Sequence, residues 1–269
     1  MIRHGSAAAT DSIQRAVELR LVALPGIPLV HEGDDLASLI LGALADCGEV
    51  LRSGDVLVIA QKVISKIEGR VRRLSAIVPS PAAIALADKT KKDPRLAELM
   101  LEESSNVLRH GHEVIVVEHR LGFVMANAGI DQSNVEQDSY NDTVLLLPRD
   151  PDASCARLRA QLQEKIRVDV GIIINDSHGR AWRNGTVGVA LGAAGLPALL
   201  DLRGTTDLYN RKLRTTEIGL ADEIAAAASL LMGQANEGRP VILVRGVPYP
   251  RREGNAQELV RSRELDLFR

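Results

Sequence analysis

Two apolar stretches of the sequence each end in an aspartate. "GIIIND" places Asp176 after three isoleucines, and "GFVMANAGID" places Asp131 after another apolar segment. Polar residues at the ends of core strands are where α/β proteins usually hold their ligands. Two carboxylates that meet there repel each other unless a proton or a cation lies between them. Together with Ser177 they would offer the oxygen ligands that Mg²⁺ and Mn²⁺ prefer. The alternative is that each aspartate caps a turn or a helix N-terminus.

Polar groups that could contact an anionic ligand follow other predicted strands. Lys66 ends "AQKVISK" and could reach a phosphate as a point charge, although most lysines in such places are surface residues. Asn134 and Glu136 follow Asp131 in "IDQSNVE", a loop that either binds a ligand or is a solvated turn. Periodicity does not decide between these two interpretations.

The stretch "MGQANEGRP", residues 232–240, lies between a predicted helix and a predicted strand. Its glycines permit a close approach of the backbone to a ligand, and Gln234, Asn236, Glu237 and Arg239 supply polar groups. The alternative is a helix C-cap followed by a connecting loop.

Other candidate residues surround the lone tryptophan, Trp182. Arg180 and Arg183 flank it and could hold anionic groups of a substrate, or they could be ordinary paired surface residues. His178 could act as a base, but a solvent-facing or hydrogen-bonded histidine is the more common case. No GxxxxGK[ST] motif is present, and "GVALGAAG" matches GxGxxG poorly, so neither a Walker nor a Rossmann nucleotide site is predicted.

Strand and helix patterns alternate along the chain, which is typical of the α/β class. Asp34 is the expected N-cap of the first helix, and Gly233 the expected stop of the last. Strands are predicted within 19–26, 53–66, 113–131 (a hairpin around His119–Gly122), 142–151, 168–176 and 239–246, and helices within 32–48, 79–94, 94–111, 151–166 and 216–233. Residues 181–215 show only a weak pattern of strand and loop.

Composition excludes several classes of protein. The chain has 269 residues, 45% hydrophobic and 25% charged, with a net charge of −2 and 2% aromatic residues. Neither nucleic acid nor an anionic membrane is therefore an expected partner. The two cysteines are too few for a cysteine-based metal site or a disulfide framework. Residues 1–18 read as a loose N-terminal extension without a secretion signal, so we expect a cytoplasmic protein.

Several long motifs occur together in a characteristic order: "GIPLVHEGDDL", "DVLVIAQKVISKIEGR", "NAGIDQSNV", "DSHGRAWRNGTVGVA", "DLYNRKL" and "ADEIAAAASLLMGQANEGRPVILVRG". From about Val22 to about Gly246 the chain closely resembles the coenzyme F420-0:γ-glutamyl ligase family. The resemblance implies a GTP-dependent ligase that adds L-glutamate to coenzyme F420-0 through γ-glutamyl amide bonds. It further implies a non-Walker, non-Rossmann α/β fold with mixed sheets, in which residues 19–269 form one ligase domain of two subdomains in an intertwined homodimer.

The resemblance also assigns roles to individual residues. Asp131 and Asp176 would be catalytic. Together with Ser177 and Gln234, they would bind two ions of Mg²⁺ or Mn²⁺ per subunit. K⁺ would be an additional activating ion. The implied GTP contacts are Ile27, Pro28, Leu29, Val30, Gln61, Lys62, Lys66, Asn134, Met232, Gly233, Gln234, Ala235, Asn236, Glu237, Gly238 and Arg239. Arg180 and Arg183 are our own weaker candidates for holding the carboxylates or phosphates of the substrates.

The expected chemistry is phosphorylation of a carboxylate by GTP, followed by attack of the glutamate amine on the acyl phosphate, a route that needs positioning and charge neutralisation. Two alternatives use the same residues. One is a metal-dependent phosphohydrolase that needs no second substrate. The other is a non-catalytic nucleotide-binding paralogue.

Overall fold

The computed structural model describes residues 17–137 and 142–267. It has a mixed α/β architecture, as predicted. The strands are β1 Arg20–Ala23, β2 Val56–Ala60, β3 Val71–Arg73, β4 Ser104–Gly111, β5 Val114–His119, β6 Val124–Ala126, β7 Thr143–Leu145, β8 Gly171–Arg180, β9 Arg183–Ala194, β10 Leu200–Asp201, β11 Glu217–Ile218 and β12 Val241–Arg245. The helices are α1 Leu36–Asp46, α2 Gln61–Ile67, α3 Pro81–Thr90, α4 Pro94–Glu102, α5 Pro151–Ile166 and α6 Leu220–Met232.

The main sheet has five strands in the order β1-β12-β2-β8-β9, and β2 and β8 are its parallel pair. Its central strands are apolar on both faces because helices cover both. Leu57 and Ile59 of β2 belong to the core cluster that includes residues of α1 and α5, whereas Val56 and Val58 belong to the cluster that includes residues of α6. Burial on both sides explains why "VLVIA" and "GIII" read as continuous apolar runs.

The remaining elements form smaller sheets with cores of their own. Strands β4, β5 and β6 make an antiparallel sheet, and β3 pairs with β7. Met100 of α4 packs with Ile115 and Val117 of β5, while Leu99 packs with Val144 of β7 and its neighbours. The division of 19–269 into two subdomains, the intertwined homodimer and the type of nucleotide-binding fold stay predictions. Most of the predicted N-terminal extension, residues 1–16, lies outside the described residues.

Three local predictions are wrong. The helix expected over 94–111 ends at Glu102, and residues 104–111 form β4. The reason is that "SSN" has weak helical preference and β5 offers a partner strand. Asp35 rather than Asp34 caps α1, through its bond from the Ser38 amide (3.1 Å). The polar end of the strand region predicted within 53–66 forms a helix, α2, from Gln61.

A buried ionic cluster joins α4 to neighbouring strands. Glu103, which follows α4, accepts hydrogen bonds from the guanidinium groups of Arg70 (2.8 Å) and Arg120 (3.0 Å). The Nε2 atom of His119, a fully buried residue, lies 3.6 Å from the same carboxylate. Arg70 also donates to the carbonyl of Leu147 (2.8 Å), so the cluster connects segments far apart in the sequence.

No helix in the described part of the chain is long and apolar enough to cross a membrane.

Candidate active site

Sheet topology brings distant segments to one edge of the main sheet. Because β2 and β8 are parallel with Ala60 opposite Asn175, the start of α2 lies beside the middle of β8. Strand β12 runs antiparallel to β2, so its beginning lies at the same edge, with the Ala60 amide bonded to the Pro240 carbonyl (2.8 Å). Strand β1 ends there too, since the amide of Leu24 donates to the Val241 carbonyl (2.9 Å). The loops that leave these strands must therefore converge.

A cavity of about 1230 Å³ opens at this edge. Its lining includes every residue predicted to bind metal or GTP: Ile27, Pro28, Leu29, Val30, Gln61, Lys62, Lys66, Asp131, Asn134, Asp176, Ser177, Met232, Gly233, Gln234, Ala235, Asn236, Glu237, Gly238 and Arg239. These residues come from five separate stretches of the chain. The cavity is larger than the 300–1,000 Å³ that usually holds one small ligand, which suits a site for more than one substrate.

Asp131 is held by its backbone and by its side chain. Its amide and carbonyl both pair with Leu145, the last residue of β7 (2.9 and 2.8 Å). One carboxylate oxygen accepts a hydrogen bond from the Gln61 side chain (2.7 Å), and the other lies 3.2 Å from the Lys62 ammonium group. Burial raises the pKa of the Asp131 carboxyl, and the charge of nearby Asp176 adds to the increase against the opposing effect of Lys62. A site that disfavours the negative charge in this way is one in which a cation is stabilising.

Asp176 lies inside β8 rather than just beyond it, which corrects the predicted strand end. It pairs with Val189 of β9 because the β8–β9 hairpin continues well past the other strands of the sheet. Its carboxylate lies 3.2 Å from Nε2 of His178. Asp131, Asp176 and Ser177 also line a second, smaller cavity of about 150 Å³, so both aspartates border both cavities.

The donor set fits a hard divalent cation. The Ser177 hydroxyl donates to the side-chain oxygen of Gln234 (2.8 Å), which places these two predicted ligands together. Two carboxylates, a hydroxyl and an amide oxygen are the kind of ligands that Mg²⁺ and Mn²⁺ take. Within 17–137 and 142–267, no three or more His, Cys, Asp or Glu residues are grouped as a metal cluster. A metal here would therefore depend on the neutral oxygens of Ser177 and Gln234 as well as on the two aspartates.

Basic side chains line the large cavity near the carboxylates. The Lys62 ammonium group donates to the hydroxyl (2.8 Å) and carbonyl (3.1 Å) of Ser133. Burial and the charge of Lys62 lower the pKa of Lys66, with Glu136 opposing them. Arg73, on β3, also lines the cavity and was not predicted from the sequence. Nothing in the pattern around β3 marks Arg73, because its place depends on the pairing of β3 with β7.

Two loops that line the cavity are tied to each other. The Asn134 amide donates to the Ala235 carbonyl (3.0 Å), which joins the loop after Asp131 to the loop after α6. Glu237 accepts from the Ala235 amide (2.8 Å), so its carboxylate shapes its own loop. Gly233 ends α6 at φ 74°, and a Cβ atom there would lie 2.1 Å from the Glu237 carboxyl carbon. Only glycine fits this turn.

The predicted substrate-binding arginines are not brought to either cavity. Arg180 and Arg183 lie at the exposed end of the β8–β9 hairpin, where Arg180 donates to the Gly185 carbonyl (3.1 Å). Neither residue lines the large or the small cavity. Their substrate-binding role stays a prediction.

Comparison with known proteins gives a consistent result. Residues 26–246 match the family described as F420-0:Gamma-glutamyl ligase. The coenzyme F420:L-glutamate ligase of Methanothermobacter thermautotrophicus is 49% identical over 253 residues, which cover 93% of this chain and 99% of that protein. The enzymes of the same name from Methanopyrus kandleri and Archaeoglobus fulgidus are 47% and 42% identical, covering 93% and 94% of this chain and 98% and 97% of their own lengths. The family predicted from the sequence motifs is thus confirmed, and the chain belongs to the F420-0:Gamma-glutamyl ligase family.

Proposed function

We propose that this protein joins L-glutamate to coenzyme F420-0 through γ-glutamyl amide bonds and consumes GTP in the reaction. The observation that carries the proposal is the large cavity, which gathers the predicted nucleotide-binding residues and both aspartates around one space. Membership of the family supplies the identity of the substrates. The volume of the cavity supports a site that holds a nucleotide and an acceptor beside the two aspartates.

The residues of the cavity suit transfer of a phosphoryl group to a carboxylate, which leaves an acyl phosphate. Such a transfer needs positioning and neutralisation of charge more than covalent help from the protein. Lys62, Lys66 and Arg239 would lie along the phosphates, and the loops joined by Asn134 would hold the rest of the nucleotide. Two divalent cations held by Asp131, Asp176, Ser177 and Gln234 would supply the remaining positive charge. The glutamate amine would then displace phosphate from the acyl carbon to form the amide. We propose in addition that K⁺ assists the reaction and that the protein acts as a homodimer.

One assay separates the ligase from its alternatives. The protein is incubated with GTP, Mn²⁺, L-glutamate and F420-0, and the products are followed by mass spectrometry. We expect the coenzyme to gain the mass of one or more glutamate residues while GTP is converted to GDP. Loss of GTP without gain of mass by the coenzyme would indicate a phosphohydrolase, and no change in either would indicate a non-catalytic paralogue.

Gln234→Glu should tighten the binding of Mn²⁺ by roughly tenfold, because it adds ligand charge while keeping an acceptor for the Ser177 hydroxyl. The measurement is a Mn²⁺ titration of the free protein followed by electron paramagnetic resonance. Gln161→Glu, on an exposed position of α5, is the matched control for the change in net charge. Weaker Mn²⁺ binding by Gln234→Glu would contradict the assignment of Gln234 as a ligand.

A further inference from the structure

Gln61 has the burial of a structural residue although it borders the cavity. It is the first residue of α2 and is only 2% exposed. Its side-chain oxygen accepts a hydrogen bond from the Ser65 hydroxyl (2.9 Å), and its side-chain nitrogen donates to Asp131 (2.7 Å). Ser65 is fully buried one helical turn further on and does not line the cavity.

We propose that Gln61 is a positioning residue for Asp131, and that Ser65 fixes Gln61 in turn. The proposal rests on the proposed role of Asp131 as a metal ligand and assigns Gln61 a task other than contact with the nucleotide. The hydrogen bonds run in one direction, from the Ser65 hydroxyl to the Gln61 oxygen and from the Gln61 nitrogen to the carboxylate. Partners of this kind orient metal-binding carboxylates.

The hydrogen-bonding capacity of the amide supports this assignment. A glutamine side chain has one carbonyl oxygen and two N–H groups. Ser65 takes the oxygen and Asp131 takes one N–H, so both ends of the amide are held by protein groups. An ionised carboxylate only accepts hydrogen bonds, which forces the nitrogen of Gln61 toward Asp131 and its oxygen toward Ser65.

Lys62 completes the support from the same turn of the helix. Gln61 bonds to one carboxylate oxygen of Asp131 and Lys62 lies beside the other, so consecutive residues of α2 fix the plane of the carboxylate. The backbone of Asp131 is fixed separately by Leu145. The remaining freedom of the carboxylate is rotation of the side chain, and that is the freedom that Gln61 removes.

The test measures Mn²⁺ binding without nucleotide or substrate. Ser65→Ala leaves the buried oxygen of Gln61 without a donor, and Gln61→Met removes both bonds at nearly constant length. We expect each change to weaken Mn²⁺ binding by about tenfold or more, as loss of such partners typically does. We also expect kcat to fall while the KM for GTP stays within about twofold of the wild-type value, because neither substitution removes a contact with the nucleotide. The measurements are a Mn²⁺ titration by electron paramagnetic resonance and steady-state kinetics.

Thr90→Val is the matched control, because it removes a fully buried helical hydroxyl that bonds to the Leu86 carbonyl (2.9 Å) away from the cavity. It should leave Mn²⁺ binding unchanged. Wild-type Mn²⁺ affinity in both Ser65→Ala and Gln61→Met would overturn the inference and leave the ligase proposal standing. A raised KM for GTP with unchanged Mn²⁺ affinity would overturn it in favour of a nucleotide contact. If the wild-type protein itself binds no Mn²⁺, the metal site and this inference fail together.

Discussion

Asp176→Asn should reduce kcat by about 1,000-fold while the protein stays folded. The substitution keeps the size of the side chain and removes its charge, and loss of charge stabilisation worth about 4 kcal/mol in the transition state corresponds to that factor. Asp176 lines both cavities, next to the space in which the proposed phosphoryl transfer would take place. The measurement is formation of glutamylated F420-0, with circular dichroism and thermal unfolding as the check on the fold.

Asp201→Asn is the matched control for this experiment. Asp201 lies outside both cavities and pairs with Arg203 (2.7 Å) on the surface. A surface ion pair contributes little to stability, so the control should keep wild-type turnover. Unchanged turnover in Asp176→Asn with a normal requirement for Mn²⁺ would remove Asp176 from the reaction.

Local signals predicted most of the helices and core strands. Proline at the first position and an oxygen-bearing N-cap mark α3, α4 and α5, and all three begin where those signals occur. The strand β4 was missed because its residues alternate poorly and directly follow a helical pattern. Its structure depends on pairing with β5, and such a contact outweighs local propensity.

The residues that line the candidate site could be predicted from the sequence, but their arrangement could not. Residue types and motif order identified Asp131, Asp176 and the loop after α6. Spacing could not show that the two aspartates line the same cavities, because that depends on the parallel pairing of β2 with β8 and on the bridge between Asp131 and Leu145. The hydrogen bond between Gln61 and Ser65 could not be predicted either. A glutamine and a serine four residues apart become partners only once α2 is recognised as a helix.

Glu103→Gln should destabilise the protein by about 3 kcal/mol, because breaking a buried ion pair leaves the partner charge uncompensated. The side chains of Arg70 and Glu103 are each only 10% exposed, so water cannot replace the lost carboxylate charge. Arg120 (3.0 Å) loses the same partner. The measurement is urea unfolding at pH 7, and the matched control is Glu102→Gln, whose side chain is 44% exposed and pairs with Arg72 at 3.9 Å. The control should change stability by less than about 0.5 kcal/mol.

The difference in the free energy of unfolding between the wild type and Glu103→Gln should also depend on pH. Burial raises the pKa of Glu103, but the nearby His119, the hydrogen bond from Arg70 and the charges of Arg70 and Arg120 outweigh it and lower the pKa from 4.5 to about 2. A carboxyl group with a depressed pKa contributes its stability above the unfolded value and loses it as the pH falls toward the folded value. This difference in unfolding free energy should therefore be constant above about pH 5 and decrease between pH 4.5 and pH 2. It decreases because the glutamate becomes protonated there and is then uncharged, like glutamine. A gap that stays the same down to pH 2 would show that the charge of Glu103 is not what holds α4 to the neighbouring strands.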